Sequence, residues 1–190
     1  MKTYKLFIRM LLSFCVMAAT SVSAQNGDQI LDGIGETGLS SRYIFNGNLN
    51  DWSRNNLHGS INGTDFAYEE DDMFGTVLSL TGDSETYISI PGQSVTGLES
   101  LSVAGWIYLR SADNGQIYFN FGRDGGSNFF AAPAGIGAAD GFQAQILTGS
   151  GNHIANSAPL DVNQWNHVAV VINIPSRTLS TYVNGELAGE

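Results

Sequence analysis

Short apolar runs separated by turn-forming residues recur along most of the chain, and this spacing constrains the fold more than any other feature. Glycine accounts for 23 of the 190 residues, whereas proline accounts for 4. A helix that packs against a core needs a continuous apolar stripe with a period of about 3.6 residues. We find no convincing stripe of this kind, so the pattern disfavours helical bundles and predicts many short strands joined by turns.

The clearest predicted strand covers 101–109 (LSVAGWIYL). Its alternation places Leu101, Val103, Ile107 and Leu109 on one face, and Ser102, Ala104, Trp106 and Tyr108 on the other. Further strands are predicted at 42–45, 77–80, 87–90, 117–121, 142–147, 168–172 and 178–183. We expect 77–80 and 87–90 to form a hairpin, and the last strand ends at Asn184-Gly185, which favours a type I′ turn. The predicted fold class is all-β, a two-sheet antiparallel sandwich.

The first 24 residues are typical of a secretory signal peptide. Lys2, Lys5 and Arg9 precede an apolar run over 10–19, and small residues lie just before Gln25. The run is about half as long as the roughly 20 apolar residues that a membrane span needs, so we expect no membrane insertion after cleavage. We therefore predict a signal peptide at 1–24, a polar leader at 25–39 and a folded domain at 40–190, exported to the periplasm, the cell surface or the medium.

The charge of the predicted mature chain excludes two classes of partner. It keeps 5 arginines and 18 acidic residues and has no lysine, which gives a net charge of −13. Nucleic acids and anionic membranes bind through Lys and Arg, so neither is expected as a partner. Cys15 lies within the signal peptide, so the mature chain has neither disulfide nor thiol chemistry.

Four motifs in order resemble a known family. They are Tyr43-x-Phe45-x-Gly47-Asn48 with Asp51, then Leu101-x-Val103-x-Gly105-Trp106, Trp165-Asn166-His167-Val168-Ala169 and Tyr182-Val183-Asn184-Gly185. Together they resemble the laminin-G-like, concanavalin A-type jelly roll of lectins and glucanases over roughly 40–190. Segments 30–37 and 51–58 also resemble the N-terminal appendage of secreted β-L-arabinofuranosidase-like glycoside hydrolases.

The resemblance implies a non-catalytic accessory module of a secreted polysaccharide-degrading enzyme. Its expected partner is a polysaccharide or other glycan, or a catalytic domain downstream in the same protein. Such domains normally continue beyond the Asn-Gly hairpin with further strands, so we expect 40–190 to be incomplete at the C-terminus. A purely structural or protein-interaction module is an alternative.

The densest acidic run supplies a second alternative, a glucanase-like hydrolase. Jelly-roll glucanases carry Glu-x-Asp-x-x-Glu on one strand, and Glu69-x-Asp71 begins this motif. Phe74 occupies the last position, and Gly75 occupies it when the motif is started at Glu70. Since charge runs are usually solvated, we predict an exposed loop here, no catalytic residue and no enzymatic activity in this chain.

Aromatic residues are the candidates for sugar contact, because sugar rings lay their C–H faces on Trp or Tyr. We predict Trp52 and Tyr108 as the carbohydrate-binding residues, with burial in the core as the alternative. Trp106 and Trp165 match core positions of the family and are expected to be buried.

One loop carries several side-chain oxygens of the kind that Ca²⁺ prefers. It contains Asn46, Asn48, Asn50 and Asp51, although Asn also serves simply to form turns. If a structural calcium ion is bound, Asp51 and Asn48 are its predicted ligands, and no other cofactor is expected.

Overall fold

The computed structural model describes residues 38–82, 85–122, 126–137 and 140–190. The predicted signal peptide and most of the predicted leader lie outside the described residues. The chain divides into two units, Met1–Leu39 and Ser40–Glu190. The account below concerns the second unit. None of the described residues belongs to a helix long and apolar enough to cross a membrane.

The described part of the second unit consists of strands and one short 3-10 turn, Gly92–Ser94. The strands are β1 (Ser60–Asn62), β2 (Phe66–Asp71), β3 (Gly75–Leu80), β4 (Tyr87–Ser89), β5 (Ser100–Tyr108), β6 (Phe119–Gly122), β7 (Asn128–Ala132), β8 (Gln143–Thr148), β9 (Gly151–Asn156), β10 (Trp165–Asn173), β11 (Thr178–Val183) and β12 (Glu186–Gly189).

Two four-stranded antiparallel sheets form the body of this unit. The first sheet has the order β12-β11-β10-β5, and the second sheet has the order β6-β7-β8-β9. Two smaller pairs, β1-β4 and β2-β3, complete the described strands. The predicted fold class, an all-β antiparallel sandwich, is confirmed.

The core lies between the two large sheets. Val168 and Val170 of the first sheet have no exposed surface, and neither do Ala131 and Ala144 of the second. Phe142, just before β8, is also fully buried. Since successive side chains of a strand point to opposite faces, the residues between these core positions lie on the two outer faces. Those outer faces are therefore free to carry chemistry that the core does not dictate.

A glycine inside β5 allows the sheets to pack closely. Gly105 lies on the inward face, where a Cβ would collide with the hydroxyl of Tyr118. Burial raises the pKa of Tyr118 to about 12. A side chain at Gly105 would therefore displace a buried ring. On the inward face of β5, Gly105 is thus the one position, among larger residues, that must remain without a side chain.

The Asn184-Gly185 turn confirms the prediction made for it. Both residues have positive φ, 51° and 87°, as a type I′ turn requires. The Asn184 side chain also accepts a hydrogen bond from the His167 amide at 2.9 Å. The turn is thereby fixed to β10, the neighbouring strand.

Several local predictions were wrong. Segment 42–45 forms an isolated bridge from Tyr43 to Asp51 instead of a strand. Segments 77–80 and 87–90 do not pair with each other, because β3 pairs with β2 and β4 pairs with β1. Most of the acidic run, 69–71, lies in the second half of β2 instead of in a loop, although Glu69 and Glu70 are exposed as expected.

Candidate functional site

Four ring-bearing side chains lie side by side on the outer face of the first sheet. In the antiparallel register of β5 and β10, Trp106 lies opposite His167 and Tyr108 opposite Trp165. Alternation places all four on the face that points away from the core. The residue between the two β10 rings, Asn166, is buried at 1% exposure. The two strands therefore carry core-facing residues on one side and an aromatic surface on the other.

The turn between β2 and β3 adds a fifth ring. The Phe74 ring lies 5.4 Å from Trp106 and 4.8 Å from Trp165, measured between ring centroids. Trp106 also contacts His167 at 5.2 Å, and Tyr108 contacts Trp165 at 5.6 Å. The five rings form a continuous series from His167 to Tyr108. We call them the aromatic patch.

The aromatic patch is open to solvent. The exposed fraction is 49% for Trp106, 42% for Tyr108 and 40% for Phe74. Met73, next to Phe74 in the turn, is 68% exposed. Contiguous exposed apolar surface of this kind is typical of sites that contact a ligand or another protein.

Asp71 fixes the hairpin turn over the patch. Its Oδ2 accepts a hydrogen bond from the Trp165 indole N–H at 3.0 Å. Its Oδ1 accepts hydrogen bonds from the backbone N–H groups of Met73 and Phe74 at 2.9 and 3.0 Å. The bond from Trp165, and then that from Phe74, lowers the pKa of the Asp71 carboxyl against a smaller opposing effect of burial. One ionised side chain therefore orients Trp165 and shapes the turn that presents Phe74.

Arg110 connects the end of β5 to the same hairpin. Its guanidinium donates to Glu69 Oε2 at 2.7 Å and to Ser79 Oγ at 2.9 Å. The Arg110 and Glu69 side chains are 59% and 47% exposed, so the ion pair contributes at most about 1 kcal/mol. The hairpin that supplies Phe74 is thus attached by polar contacts at its base and at its tip.

Comparison with known proteins identifies the family. Residues 82–190 match the family model described as the concanavalin A-like lectin/glucanases superfamily. The chain belongs to this superfamily. The predicted resemblance to its laminin-G-like branch is confirmed. No curated protein matches the chain.

A solved structure shares the fold. It is domain 4 of AbnA, a GH43 extracellular arabinanase from Geobacillus stearothermophilus, in complex with arabinotriose. The sequences are 20% identical and the TM-score is 0.64, with 76% of this chain and 69% of that chain covered. The similarity predicted from sequence to an appendage of a glycoside hydrolase agrees with this neighbour.

In this laminin-G-like domain, the positions of the aromatic residues differ in part from those predicted from the sequence. Tyr108 is in the aromatic patch. Trp106, expected in the core, is half exposed on the outer face, so that prediction was wrong. Trp165 lies on the same outer face, where it is half-buried by Phe74 and Tyr108. The alternation of 101–109 already placed Trp106 beside Tyr108, and this signal outweighs the general preference of tryptophan for burial.

Trp52 is separate from the patch. It follows the bridge residue Asp51 and is half-buried, and its backbone N–H donates to the Arg42 carbonyl at 2.8 Å. Its indole Nε1 is enclosed and finds no hydrogen-bond partner in the part of the chain that the structure describes. No ring contact joins Trp52 to Tyr108 within the described ranges. The two predicted sugar-contact residues are therefore not brought together by a ring contact.

Asp51 is buried, at 5% exposure, and its carboxylate organises the loop around it. Oδ1 accepts hydrogen bonds from the amides of Arg42 and Ser53 at 2.9 and 2.8 Å. Oδ2 accepts them from the Ser53 hydroxyl and the Leu57 amide at 2.7 and 2.8 Å. Burial raises the pKa of the Asp51 carboxyl, but these hydrogen bonds together outweigh it and hold the pKa below its ordinary value.

The calcium prediction for Asp51 and Asn48 stays a prediction. Asn48 Oδ1 accepts a hydrogen bond from the Asn50 amide at 2.9 Å, and its Nδ2 donates to Asn46 at 3.1 Å. A carboxylate offers about four acceptor positions, and four donors already contact that of Asp51. Among the described residues, no group of three or more His, Cys, Asp or Glu side chains is arranged to hold a metal ion. A calcium ion here would have to share its oxygen ligands with these donors.

Proposed function

We propose that this laminin-G-like domain is a non-catalytic module that binds a glycan through the aromatic patch. In this proposal it is an accessory domain of a secreted polysaccharide-degrading enzyme. The observation that carries the proposal is the series of five contacting rings, of which Phe74, Trp106 and Tyr108 are 40% exposed or more. Sugar rings expose C–H faces that stack on such rings.

The expected affinity is low. Each aromatic contact contributes about 0.5–1.5 kcal/mol beyond area burial. Two or three of them support binding near −4 kcal/mol, which is a dissociation constant of about 1 mM. Affinity in this range is sufficient for a module tethered to an enzyme on a polymer, because tethering raises the effective concentration.

The charge around the patch favours a neutral glycan. Glu70 and Asp72 are exposed beside the patch, on the hairpin that carries Phe74. A uronate-containing polymer would meet like charge there, whereas an uncharged sugar would not. The structural neighbour's complex with arabinotriose makes a short arabinan oligosaccharide the first ligand to test.

The carboxylates of the glucanase-like alternative already have partners. Glu69 is paired with Arg110, and Asp71 accepts three hydrogen bonds that hold the turn and Trp165. A retaining glycosidase needs two carboxyl groups that can reach one sugar from fixed positions about 5–5.5 Å apart. The roles of Glu69 and Asp71 in supporting the hairpin favour the binding module over the hydrolase.

Titration with arabinotriose and with a neutral β-glucan oligosaccharide, followed by calorimetry, tests the proposal. We expect millimolar binding of at least one of them, weakened five-fold or more in Trp106→Ala. Tyr87→Ala is the matched control, because Tyr87 is a 52% exposed aromatic residue on β4. A folded protein that binds neither sugar would favour a packing or protein-interaction module, and unchanged binding in Trp106→Ala would exclude the patch.

A further inference from the structure

Asparagine followed by glycine is a labile sequence, because glycine has no side chain to keep its backbone nitrogen away from the asparagine side chain. Four such pairs lie in the described residues: Asn46-Gly47, Asn62-Gly63, Asn114-Gly115 and Asn184-Gly185. A further pair, Asn26-Gly27, lies outside the described residues. Since the reacting dipeptide is the same in all four described pairs, the fold must set the differences in their reactivity.

The reaction uses the backbone nitrogen of the glycine. After passing its proton to water, this nitrogen attacks Cγ of the preceding asparagine and forms a new N–Cγ bond, which closes a cyclic imide. The Cγ–Nδ2 bond breaks and ammonia leaves. Water then opens the imide at either carbonyl carbon, which gives aspartate or isoaspartate. A glycine N–H that donates a hydrogen bond, or a backbone fixed by its neighbours, opposes this ring closure.

Two of the pairs are fixed by hydrogen bonds to other segments. The Gly115 N–H donates to the Gly135 carbonyl at 2.9 Å, so the nitrogen that would attack is already engaged. At the other pair, the Asn184 N–H donates to the His167 carbonyl at 2.7 Å, and Asn184 Oδ1 accepts from the His167 amide at 2.9 Å. Imide formation would have to break these hydrogen bonds.

Asn62-Gly63 is fixed by the neighbouring strand and by a close backbone approach. Asn62 ends β1, and its side chain donates to Ser89 Oγ at 2.8 Å. Gly63 lies so close to Thr86 that a Cβ at this position would collide with it. Rotation of this backbone would displace a neighbouring residue, so ring closure is opposed here as well.

Asn46-Gly47 has none of these restraints. Both residues are exposed in a bend, and Gly47 has no hydrogen bond to any described residue. Gly47 has a φ of 93°, and no atom lies within 4 Å of the place where its Cβ would be. The nitrogen of Gly47 is therefore available, and the surrounding space allows the backbone to rotate.

The side chain of Asn46 is bonded within the same bend. Asn48 Nδ2 donates to Asn46 Oδ1 at 3.1 Å. A donor at this oxygen stabilises the negative charge that develops on it when the nitrogen attacks Cγ. The hydrogen bond therefore assists the reaction at Asn46 and leaves Nδ2 as the leaving group.

We propose that Asn46 is the preferred site of spontaneous deamidation among the described Asn-Gly pairs, through attack by the Gly47 nitrogen. The product adds one negative charge to a chain with 18 acidic and 8 basic residues, and isoaspartate also lengthens the backbone by one methylene group. The modified bend lies between the bridge residues Tyr43 and Asp51. None of these residues belongs to the aromatic patch, so the proposal is independent of the proposed function.

Peptide mapping by mass spectrometry measures each site during incubation of the whole protein at mildly alkaline pH. We expect Asn46 to lose its amide at least about five-fold faster than Asn62, Asn114 or Asn184, the factor that one typical hydrogen bond supplies. In denaturant the four sites should react at similar rates, because the restraints are gone. Another of the three reacting as fast as Asn46 in the folded protein, or the same preference after unfolding, would overturn the proposal.

Gly47→Asn tests the attacking nitrogen. Asparagine tolerates positive φ better than most residues with a side chain, so the variant should fold, while its side chain obstructs the attack. We expect deamidation of Asn46 to slow about five-fold or more. Gly97→Asn is the matched control, because Gly97 also has a positive φ, 78°, and no atom near its Cβ position.

The products distinguish the imide route from direct hydrolysis. The imide should give isoaspartate together with aspartate at position 46, and chromatography separates the two peptides. Aspartate alone, or an unchanged rate in Gly47→Asn, would overturn attack by the Gly47 nitrogen.

Discussion

The two outer faces of the sandwich share one core but are assembled in different ways. The aromatic patch combines β5 and β10 with a turn from the β2–β3 hairpin, which precedes them in the chain. The outer face of the second sheet lies on β6 to β9, four strands that are consecutive in sequence and in the sheet. The patch therefore depends on a contact between separate segments, whereas the outer face of the second sheet depends on strand register alone. Variants that loosen the hairpin should affect one face and spare the other.

A substitution in the shared core gives the largest expected effect on the free energy of unfolding. Phe142 is fully buried just before β8 and packs with Val168 and Val170 of the other sheet. Phe142→Ala should lower the free energy of unfolding by about 3–5 kcal/mol, because it leaves a cavity that the core cannot refill. Urea unfolding measures this loss, and binding at the aromatic patch should fall with the folded fraction. A loss below about 1 kcal/mol would mean that the two sheets do not rest on a common core.

The loop around Asp51, which lies outside both outer faces, gives the next largest expected effect on the free energy of unfolding. Asp51→Ala leaves the amides of Arg42, Ser53 and Leu57 without their acceptor. We expect a loss of about 1.5–3 kcal/mol in the free energy of unfolding, typical of hydrogen bonds to a charged group. Ligand titrations of the folded variant should match those of the wild-type protein, which would separate this loop from the aromatic patch.

Acidification should test the contribution of the Asp51 carboxylate to stability. The pKa of Asp51 is lowered in the folded protein, so its contribution is complete above the unfolded value of about 4 and is lost as pH falls through the folded value. The melting temperature of Asp51→Asn should therefore fall less than that of the wild-type protein on acidification. Millimolar calcium should raise only the wild-type melting temperature if the ion binds here, and no shift would remove the calcium prediction.

The sequence patterns predicted the elements that depend on local chemistry. Alternation located β5, and the Asn184-Gly185 pair located the last hairpin turn with its positive φ angles. Where a strand departs from alternation, it was missed: β7 is not among the predicted strands, and its Phe129 and Phe130 rings point to opposite faces. The acidic residues of β2 likewise concealed its strand pattern. They are compatible with a strand because their side chains remain solvated.

The aromatic patch could be predicted only in part, because it depends on long-range contacts. Tyr108 was predicted from its position on the outer face of one strand. Phe74 joins the patch through contacts with Trp106 and Trp165 that no local pattern contains. Spacing within one strand places Trp106 beside Tyr108 but carries no information about which turn covers them.

Removing the contact at the tip of the β2–β3 hairpin should weaken the patch and leave the second sheet unchanged. Asp71→Ala deletes the acceptor for the Trp165 indole and for the Met73 and Phe74 amides. We expect binding through the patch to weaken about three-fold or more, since Phe74 and Trp165 lose their fixed orientation, while the backbone amide signals of β6 to β9 stay unchanged in ¹⁵N-resolved NMR spectra. Since the pKa of Asp71 is lowered, the contact persists through neutral pH and is lost as pH falls through that value. Unchanged binding in Asp71→Ala would contradict the role of this carboxylate in orienting Phe74 and Trp165.

Contacts at the base of the β2–β3 hairpin give the smallest expected effect on the free energy of unfolding. Arg110→Met removes the ion pair with Glu69 and the hydrogen bond to Ser79 but keeps an apolar stem. We expect a loss of at most about 1 kcal/mol in the free energy of unfolding, because the pair is half exposed and screened by solvent. Salt should reproduce part of this loss in the wild-type protein and little of it in the variant. A loss well above this limit would show that the hairpin is held mainly at its base. In that case Arg110, more than Asp71, would position Phe74 over the patch.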